Sequence, residues 1–417
     1  MRYIGCHIKI FAFVSGMAIA SCFACFLTQS AMAETLAFTA TYNYIFTQLE
    51  TEDQASVIAQ TRTRHAIFKA AGPTIQKSKT YKDLPPVENL SNALALGIMT
   101  FETNFLTIKK TVEGHTVSLK LIGRINMETL EKDLSDFIEN PFLFDNALSN
   151  RNRVGTVLND LDDLQGKYRA VQKRKKQKNL NAERELLAAK RWRLVNKLSA
   201  ISLSDTIIID ALKEKVLDPG ESIKRLNRAI AMDDHYEWLY LHRGREFSHL
   251  KDWISAAADF DRAVVLNPYL IFSYEFKGDA LFDAGDIEDA IKSYDKAIAL
   301  DQQYGPILLK RGRAYREMNR YNWADRDFTR IINIDPNNAT GYLERGRARH
   351  ASGKYTEAAA DFSKVIALNP EDGEAYAKRG QAWMAAGLPD KACDDLKKAC
   401  DFETCDDLRA CLLYTSP

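Results

Sequence analysis

The segment "KRGRAY" (residues 310–315) places a glycine between two arginines within a stretch that otherwise has the composition of a helix. Glycine in a helix interior costs roughly 1 kcal/mol relative to alanine, so its presence needs a physical reason. Nearly the same segment recurs as "HRGREF" (242–247), "ERGRAR" (344–349) and "KRGQAW" (378–383). The recurrence indicates an internal repeat, and a shared packing requirement would explain the glycine.

Four kinds of position recur with the same step of 34 residues, which is typical of a repeat array. Each set of equivalent positions is called a ladder. Two ladders consist of small residues, one of bulky and mostly aromatic residues, and one marks the end of each unit. They are Gly244, Gly278, Gly312, Gly346 and Gly380; Ala256, Ala290, Ala324, Ala358 and Ala392; Phe260, Tyr294, Phe328, Phe362 and Leu396; and Asp234, Pro268, Gln302, Pro336 and Pro370.

The order of these positions predicts a helix, a short turn and a second helix in each unit, because Gly285, Gly353 and Gly387 fall between the Gly and Ala ladders. Two helices approach closely where both present small side chains. We therefore expect the ladder glycine to face the ladder alanine, with the aromatic residue filling the space beside them.

These ladders resemble the tetratricopeptide repeat, with departures at Asp234, Gln302 and Leu396. The resemblance implies an all-α superhelix of antiparallel helix pairs, with about five repeats over residues 235–410 and a degenerate repeat over residues 204–234. It also implies a protein-binding role without catalysis.

The N-terminus has the pattern of a secretory signal peptide. A basic start with Arg2 and Lys9 precedes an apolar run and a small-residue site, so we expect cleavage after Ala33 and export to the periplasm or outer membrane of a bacterial envelope. Two alternatives stay open: an uncleaved membrane anchor, and a lipoprotein signal in which "IASC" makes Cys22 the lipidated residue. Cleavage after Ala33 would change the formal net charge from +1 to about −1, which favours neither nucleic acid nor membrane as a partner.

Residues 34–139 predict an α+β domain with the order β-α-α-β-β-α. "TLAFTATYNYIF" (35–46) predicts a strand, and the following helical pattern ends on Gly72. Two β-rich runs around Glu113 and Gly114 predict a hairpin. Val117, Leu119 and Leu121 alternate along its second strand, so we expect them on one face.

This region also loosely resembles the N-terminal domain of flagellar assembly protein T and of small outer-membrane lipoproteins. The resemblance lies in "RTRHAIFKAAGPTIQ" (62–76), "LALGIMTFETNF" (94–105) and "VSLKLIGRINMETL" (117–130). It implies a structural envelope module without a known active site.

Residues 140–203 predict a charged helical linker, either a coiled coil or a helical hairpin. Its basic stretch "QKRKKQKN" (172–179) is interpreted as a solvated surface. The alternative is an adaptor that binds peptidoglycan or polysaccharide through Lys173, Arg174, Lys175 and Lys176. A nucleic-acid site is not favoured, because no aromatic residues are interleaved.

Four cysteines lie beyond the signal peptide, at positions 393, 400, 405 and 411. In an antiparallel hairpin, Cys393 would face Cys411 and Cys400 would face Cys405, so two nested disulfides are candidates in an exported protein. The segment "CLLYTSP" (411–417) can be back-translated into DNA that resembles a transposon-end sequencing adapter. We interpret it as a non-native tail, which leaves Cys400–Cys405 as the better-supported pair.

The sequence contains no phosphate-binding loop, nucleophile elbow or HExxH metal motif, so we expect no catalytic residue, metal or cofactor. An enzyme with its site in the N-terminal domain is the less favoured alternative, since that domain offers only His65 and His115 beside scattered carboxylates. The sequence carries no signal of oligomeric state.

The resemblance to tetratricopeptide repeats implies a concave groove lined by the residue after each ladder glycine and by those three and four further on. The groove candidates are Arg245, Phe282, Arg313, Arg316, Arg347 and His350. Arginines in phase favour an acidic protein or peptide partner. The alternative is that these arginines pair only with neighbouring helices.

Overall fold

The computed structural model describes residues 35–46, 51–82, 84, 90–111, 114–173, 180–212 and 218–402. The predicted signal peptide and the tail at 411–417 lie outside these residues. The chain divides into two compact units, Met1–Leu239 and Tyr240–Pro417. No helix in the described ranges is both long enough and apolar enough to cross a membrane.

The first unit contains a three-stranded antiparallel sheet with the strand order β1-β3-β2. Its strands are β1 (Thr35–Phe46), β2 (Thr100–Thr111) and β3 (Gly114–Asn126). The β2–β3 hairpin confirms the predicted one, and Val117, Leu119 and Leu121 are buried on one face of β3. Three helices lie between β1 and β2 in the chain, namely α1 (Glu52–Ile75), α2 (Lys79–Lys82) and α3 (Leu90–Ile98). Helix α4 (Leu130–Ile138) follows β3.

Helix α1 packs on β1 and β3 and supplies much of the core through Ile58, Ile67 and Phe68. The prediction that this helix ends on Gly72 is wrong, since α1 continues through Pro73 to Ile75. Proline has a backbone φ close to the helical value and removes only one hydrogen bond, so the last turn accommodates it.

The charged segment after residue 140 forms two long helices, α5 (Pro141–Lys173) and α6 (Leu180–Leu212). They run antiparallel, since Asn150 near the start of α5 hydrogen-bonds to Asp205 near the end of α6 at 2.6 Å. Helix α6 packs on α1 and α3, and α5 packs on α3. The predicted linker is therefore a helical hairpin that belongs to the first compact unit.

Helix α7 (Pro219–Met232) packs on α6, and five helix pairs follow it. The first helices of these pairs are α8 (Glu237–His249), α10 (Ile271–Asp283), α12 (Gly305–Glu317), α14 (Ala339–Ala351) and α16 (Gly373–Ala385). The second helices are α9 (Trp253–Leu266), α11 (Ile287–Leu300), α13 (Tyr321–Ile334), α15 (Tyr355–Leu368) and α17 (Pro389–Asp401).

The bulky ladder residues on the second helices leave no room for a side chain at the ladder glycines. A Cβ placed on Gly312 would lie 2.5 Å from Cε1 of Phe328, and a Cβ on Gly346 would lie 2.7 Å from Cε1 of Phe362. At Gly380 the carbonyl oxygen of the ladder alanine Ala392 also lies 3.2 Å from that Cβ position, whereas in the other repeats the ring is the nearest group. The ring itself lies against the bare Cα, because a flat aromatic edge fills the space that a methyl group would occupy.

The turn inside each pair contains one residue with positive φ. This residue is Gly285, Gly353 and Gly387 in three repeats, with φ between 77° and 92°, but Lys251 and Asn319 in the other two, with φ of 60° and 57°. A left-handed residue commonly ends a helix, and glycine adopts that conformation at the lowest cost. The glycines predicted this turn in three repeats. In the other two repeats the position is Lys251 or Asn319, which gave no sequence signal for it.

Replacing Gly312 with alanine is expected to lower the free energy of unfolding by about 1–3 kcal/mol, because the new methyl group overlaps the Phe328 ring. Gly155 in α5 is the matched control, since a Cβ there meets no atom within 4 Å. Gly155→Ala should instead stabilise by roughly 0.5–1 kcal/mol through helix propensity. Urea unfolding of the two variants measures the difference. Equal effects of the same sign would contradict the packing explanation.

Cys393 and Cys400 are both disulfide-bonded. They are seven residues apart on α17, or roughly 10.5 Å along the axis, which is too far for them to bond to each other. Cys405 and Cys411 lie outside the described residues, so the predicted pairing with them stays a prediction.

Candidate functional site

The first helices of successive repeats line the inner side of the second unit. Helices α10, α12, α14 and α16 contact one another from repeat to repeat, whereas consecutive second helices have no comparable contact in the described part of the chain. Closer spacing on one side curves the array toward that side. The inner face is therefore made of first helices, as the resemblance implied.

Three of the predicted groove arginines converge on one buried carboxylate, Glu344 of α14, which is 1% exposed. Arg313 of α12 contacts it through Nε at 3.0 Å and Nη2 at 2.8 Å. Arg316 donates to its other oxygen, and Arg347 donates through Nη1 at 3.1 Å. Arg347 also donates to Glu374 of α16. These guanidinium groups thus pair with neighbouring helices.

The charges of this cluster balance only when Glu317 is counted with Glu344 and Glu374. Arg313, Arg316 and Arg347 bring three positive charges, while Glu344 and Glu374 bring two negative charges. Arg316 also lies 3.5 Å from Glu317. Arg313 is the most accessible of the three arginines, with 44% of its side chain exposed. Its Nη1 atom has no partner among the described residues, so it can still donate to a ligand.

A second ion-pair cluster lies one repeat earlier on the same face. Lys310 of α12 contacts Glu275 at 2.5 Å and Asp279 at 2.7 Å, both on α10. Burial lowers the pKa of Lys310, but the two carboxylates outweigh it and hold that pKa above its usual value. Burial raises the pKa of Glu275. Together with the arginine cluster, these pairs connect four consecutive first helices.

The other predicted groove residues have different surroundings. The Arg245 guanidinium lies 5.4 Å from the centre of the Phe276 ring, and burial lowers its pKa. Phe282 packs against the hydrophobic core around Tyr294. His350 lies edge-on to Tyr355 at 5.3 Å, and burial lowers its pKa. Only Arg313, Arg316 and Arg347 are thus brought together as a cluster.

The structure contains a ladder of buried Arg–Asp ion pairs that was not predicted from the sequence. In four repeats the arginine before the ladder glycine makes a bidentate pair with an aspartate 16 residues later. The Nη2–Oδ1 distances are 2.6–2.7 Å, and the pairs are Arg243–Asp259, Arg311–Asp327, Arg345–Asp361 and Arg379–Asp395. The signal was available, since both positions repeat in the same phase. The second repeat has Lys277 and Ser293 instead.

Two other features are weaker candidates for a functional site. Within the described ranges, Asp233, Asp234 and His235 form a group of possible metal ligands, but Asp233 accepts a hydrogen bond from Arg153 at 2.8 Å and His235 lies 2.5 Å from Asp234. The basic stretch proposed for polymer binding falls largely outside the described residues, because Arg174, Lys175 and Lys176 are not among them. Neither feature therefore changes what the sequence predicted about a metal site or about polymer binding.

Family models match part of the repeat region. A model described as "TPR repeat" matches residues 278–319 and 346–387, and one described as "Tetratricopeptide repeat" matches residues 305–338. No curated protein matches the chain. The resemblance of the N-terminal module to flagellar assembly protein T therefore stays a prediction.

Several solved structures are similar to parts of the chain. YrrB, described as a TPR protein with an unusual peptide-binding site, is 18% identical, with a TM-score of 0.40 and coverage of 45% of this chain and 97% of that one. MamA from Desulfovibrio magneticus RS-1 is 17% identical, with a TM-score of 0.39 and coverage of 41% and 97%. A tetratricopeptide repeat protein from Parabacteroides merdae is 19% identical, with a TM-score of 0.42 and coverage of 48% and 78%.

Proposed function

We propose that this chain, a tetratricopeptide-repeat protein and hence a protein-interaction scaffold, binds an acidic peptide segment of its partner on the inner face of α12 and α14. The observation that carries the proposal is the arginine cluster around Glu344. The buried carboxylate holds three guanidinium groups in place before a ligand arrives, which lowers the entropy cost of binding.

The chemistry of the cluster favours a carboxylate ligand. Arginine presents several N–H donors in a planar fork that matches a carboxylate, and Arg313 keeps Nη1 available. Because Arg316 and Arg347 also contact Glu344, an acidic side chain could bind Nη1 of Arg313 without displacing Glu344. Extended peptides and helices are the ligands that suit a concave row of helices.

Binding of a fluorescent peptide rich in Asp and Glu to the full chain tests this proposal. We expect saturable binding that weakens with salt, and no binding of the peptide in which Asn and Gln replace the acids. Arg313→Gln should weaken binding by about tenfold, the usual value of a hydrogen bond to a charged group. Arg326→Gln, on the second helix α13, is the matched control. Equal binding of the amide peptide, or no effect of Arg313→Gln, would refute the acidic-partner proposal.

The location of the protein is proposed on sequence alone. The basic start, apolar run and small-residue site before Glu34 support the proposal that the chain is exported, is cleaved after Ala33 and belongs to a bacterial envelope complex. The mass of the chain purified from the envelope tests this. A chain that begins at Glu34 is expected, whereas a lipid-modified chain that begins at Cys22 would establish the lipoprotein alternative.

A further inference from the structure

A cavity of about 260 Å³ lies in the first compact unit, between β1 and α1, with Leu158 of α5 on a third side. This volume is just below the range of roughly 300–1,000 Å³ that is common for ligand sites. The cavity therefore suits a small molecule. The residues that give it chemical character are Tyr42 of β1 and Arg62, His65 and Lys69 of α1.

The three basic residues share one face of α1. Arg62, His65 and Lys69 are spaced by three and four residues, which places their side chains next to one another on a helix. Ala66, within the same face, is small and leaves room in front of them. The arrangement concentrates two cations and an imidazole around one opening.

The positive charge at this cavity is only partly compensated. Arg62 pairs with Asp162 at 2.6 Å, but Lys69 forms no ion pair within the part of the chain that the structure describes. Nδ1 of His65 is buried without a hydrogen-bond partner among the described residues. Burial lowers the pKa of His65, and the cations Arg151, Lys69 and Arg62 lower it further. No carboxylate of the described residues is among the groups that shift the pKa of His65.

The remaining walls of the cavity combine apolar residues with Thr41 and Thr63. Ala40, Ala66 and Leu158 line it, and the Tyr42 ring lies beneath the Arg62 guanidinium at 5.7 Å from the ring centre. Inorganic phosphate or sulfate would leave these walls unused. A ligand with one anionic group and an apolar body would contact both parts.

We propose that this cavity binds a small organic anion, whose carboxylate or phosphate group lies between Lys69 and His65 and whose apolar part contacts Leu158 and the Tyr42 ring. The site lies in the first unit and does not depend on the peptide-binding proposal for the repeats.

Calorimetric titration of the full chain with benzoate, inorganic phosphate and benzylamine tests the charge and the apolar part of the ligand separately. Benzoate should bind saturably, more tightly than phosphate, and benzylamine should not bind. Lys69→Gln should weaken benzoate binding by about tenfold. Lys77→Gln, which removes the same charge just beyond α1 and away from the cavity, should leave it unchanged.

Proton NMR of the histidine rings provides a second measurement, with His65→Gln identifying the His65 signal. Benzoate should raise the pKa of His65, because an anion offsets the positive field of Arg62, Lys69 and Arg151. The absence of saturable benzoate binding would overturn the proposal. So would tighter binding of phosphate than of benzoate, an equal loss in Lys77→Gln, or a His65 pKa that benzoate does not change.

Discussion

Replacing Arg313, Arg316 and Arg347 together with alanine is expected to lower the free energy of unfolding by about 3–5 kcal/mol, the usual cost of leaving a buried charge without its partner. All three arginines contact Glu344, which is 1% exposed. Their removal would take away every cation with which Glu344 forms an ion pair among the described residues. Urea unfolding of the full chain, followed by far-UV circular dichroism, measures the loss.

The control for this prediction is the same triple variant with Glu344→Gln added. Glutamine has nearly the shape of glutamate but no charge. The variant with all four substitutions (the fourfold variant) should therefore recover most of the lost stability. Arg313→Ala alone should cost little, because Arg316 and Arg347 still contact Glu344. If the triple and fourfold variants are equally unstable, the loss comes from packing and the interpretation of Glu344 as an electrostatic centre is wrong.

Replacing Arg311 with alanine is the second change with a large expected effect, again about 3–5 kcal/mol of unfolding free energy. Arg311 donates to Asp327 through Nε at 2.8 Å and Nη2 at 2.6 Å, and through Nη1 to Asp295 at 2.6 Å. Asp327 is 3% exposed. Its carboxylate would therefore stay buried and unpaired after the substitution.

The second repeat provides the control for Arg311. At the corresponding positions it has Lys277, which pairs with Asp261 at 2.5 Å, and Ser293, whose hydroxyl donates to the Asp289 carbonyl at 3.0 Å. The double variant Arg311→Lys with Asp327→Ser copies this arrangement into the third repeat. It should be clearly more stable than Arg311→Ala. A double variant that loses as much stability as the single one would show that the two positions are not coupled.

The arginine cluster affects how binding experiments on the repeats must be designed. A triple alanine variant that failed to bind would not identify a binding site, because the same substitutions are expected to destabilise the array. Arg313 avoids this problem, since its side chain is 44% exposed and Glu344 retains two other partners. Arg313→Gln combined with a stability measurement separates loss of contact from loss of fold.

Sequence alone was sufficient for the architecture of the repeats. The 34-residue step, the glycine and aromatic ladders and the glycines of the turns predicted five helix pairs, which the structure confirms. This was possible because packing between adjacent helices imposes the same small set of residues at every repeat. In the first unit, alternation along β3 and the β2–β3 hairpin were likewise predicted from local periodicity.

The electrostatic character of the candidate site could not be predicted in the same way. The phase of the repeat placed Arg313, Arg316 and Arg347 on one face, but their shared partner, Glu344, belongs to a single repeat, where other repeats have His242, Phe276, Lys310 and Lys378. The basic cavity is completed by Leu158 of α5, which lies far from β1 and α1 in the chain. Periodicity determined the backbone because each helix meets equivalent neighbours, whereas the partners of individual charges were decided only by the tertiary structure, since a buried charge pairs with whatever group lies within a few ångströms of it.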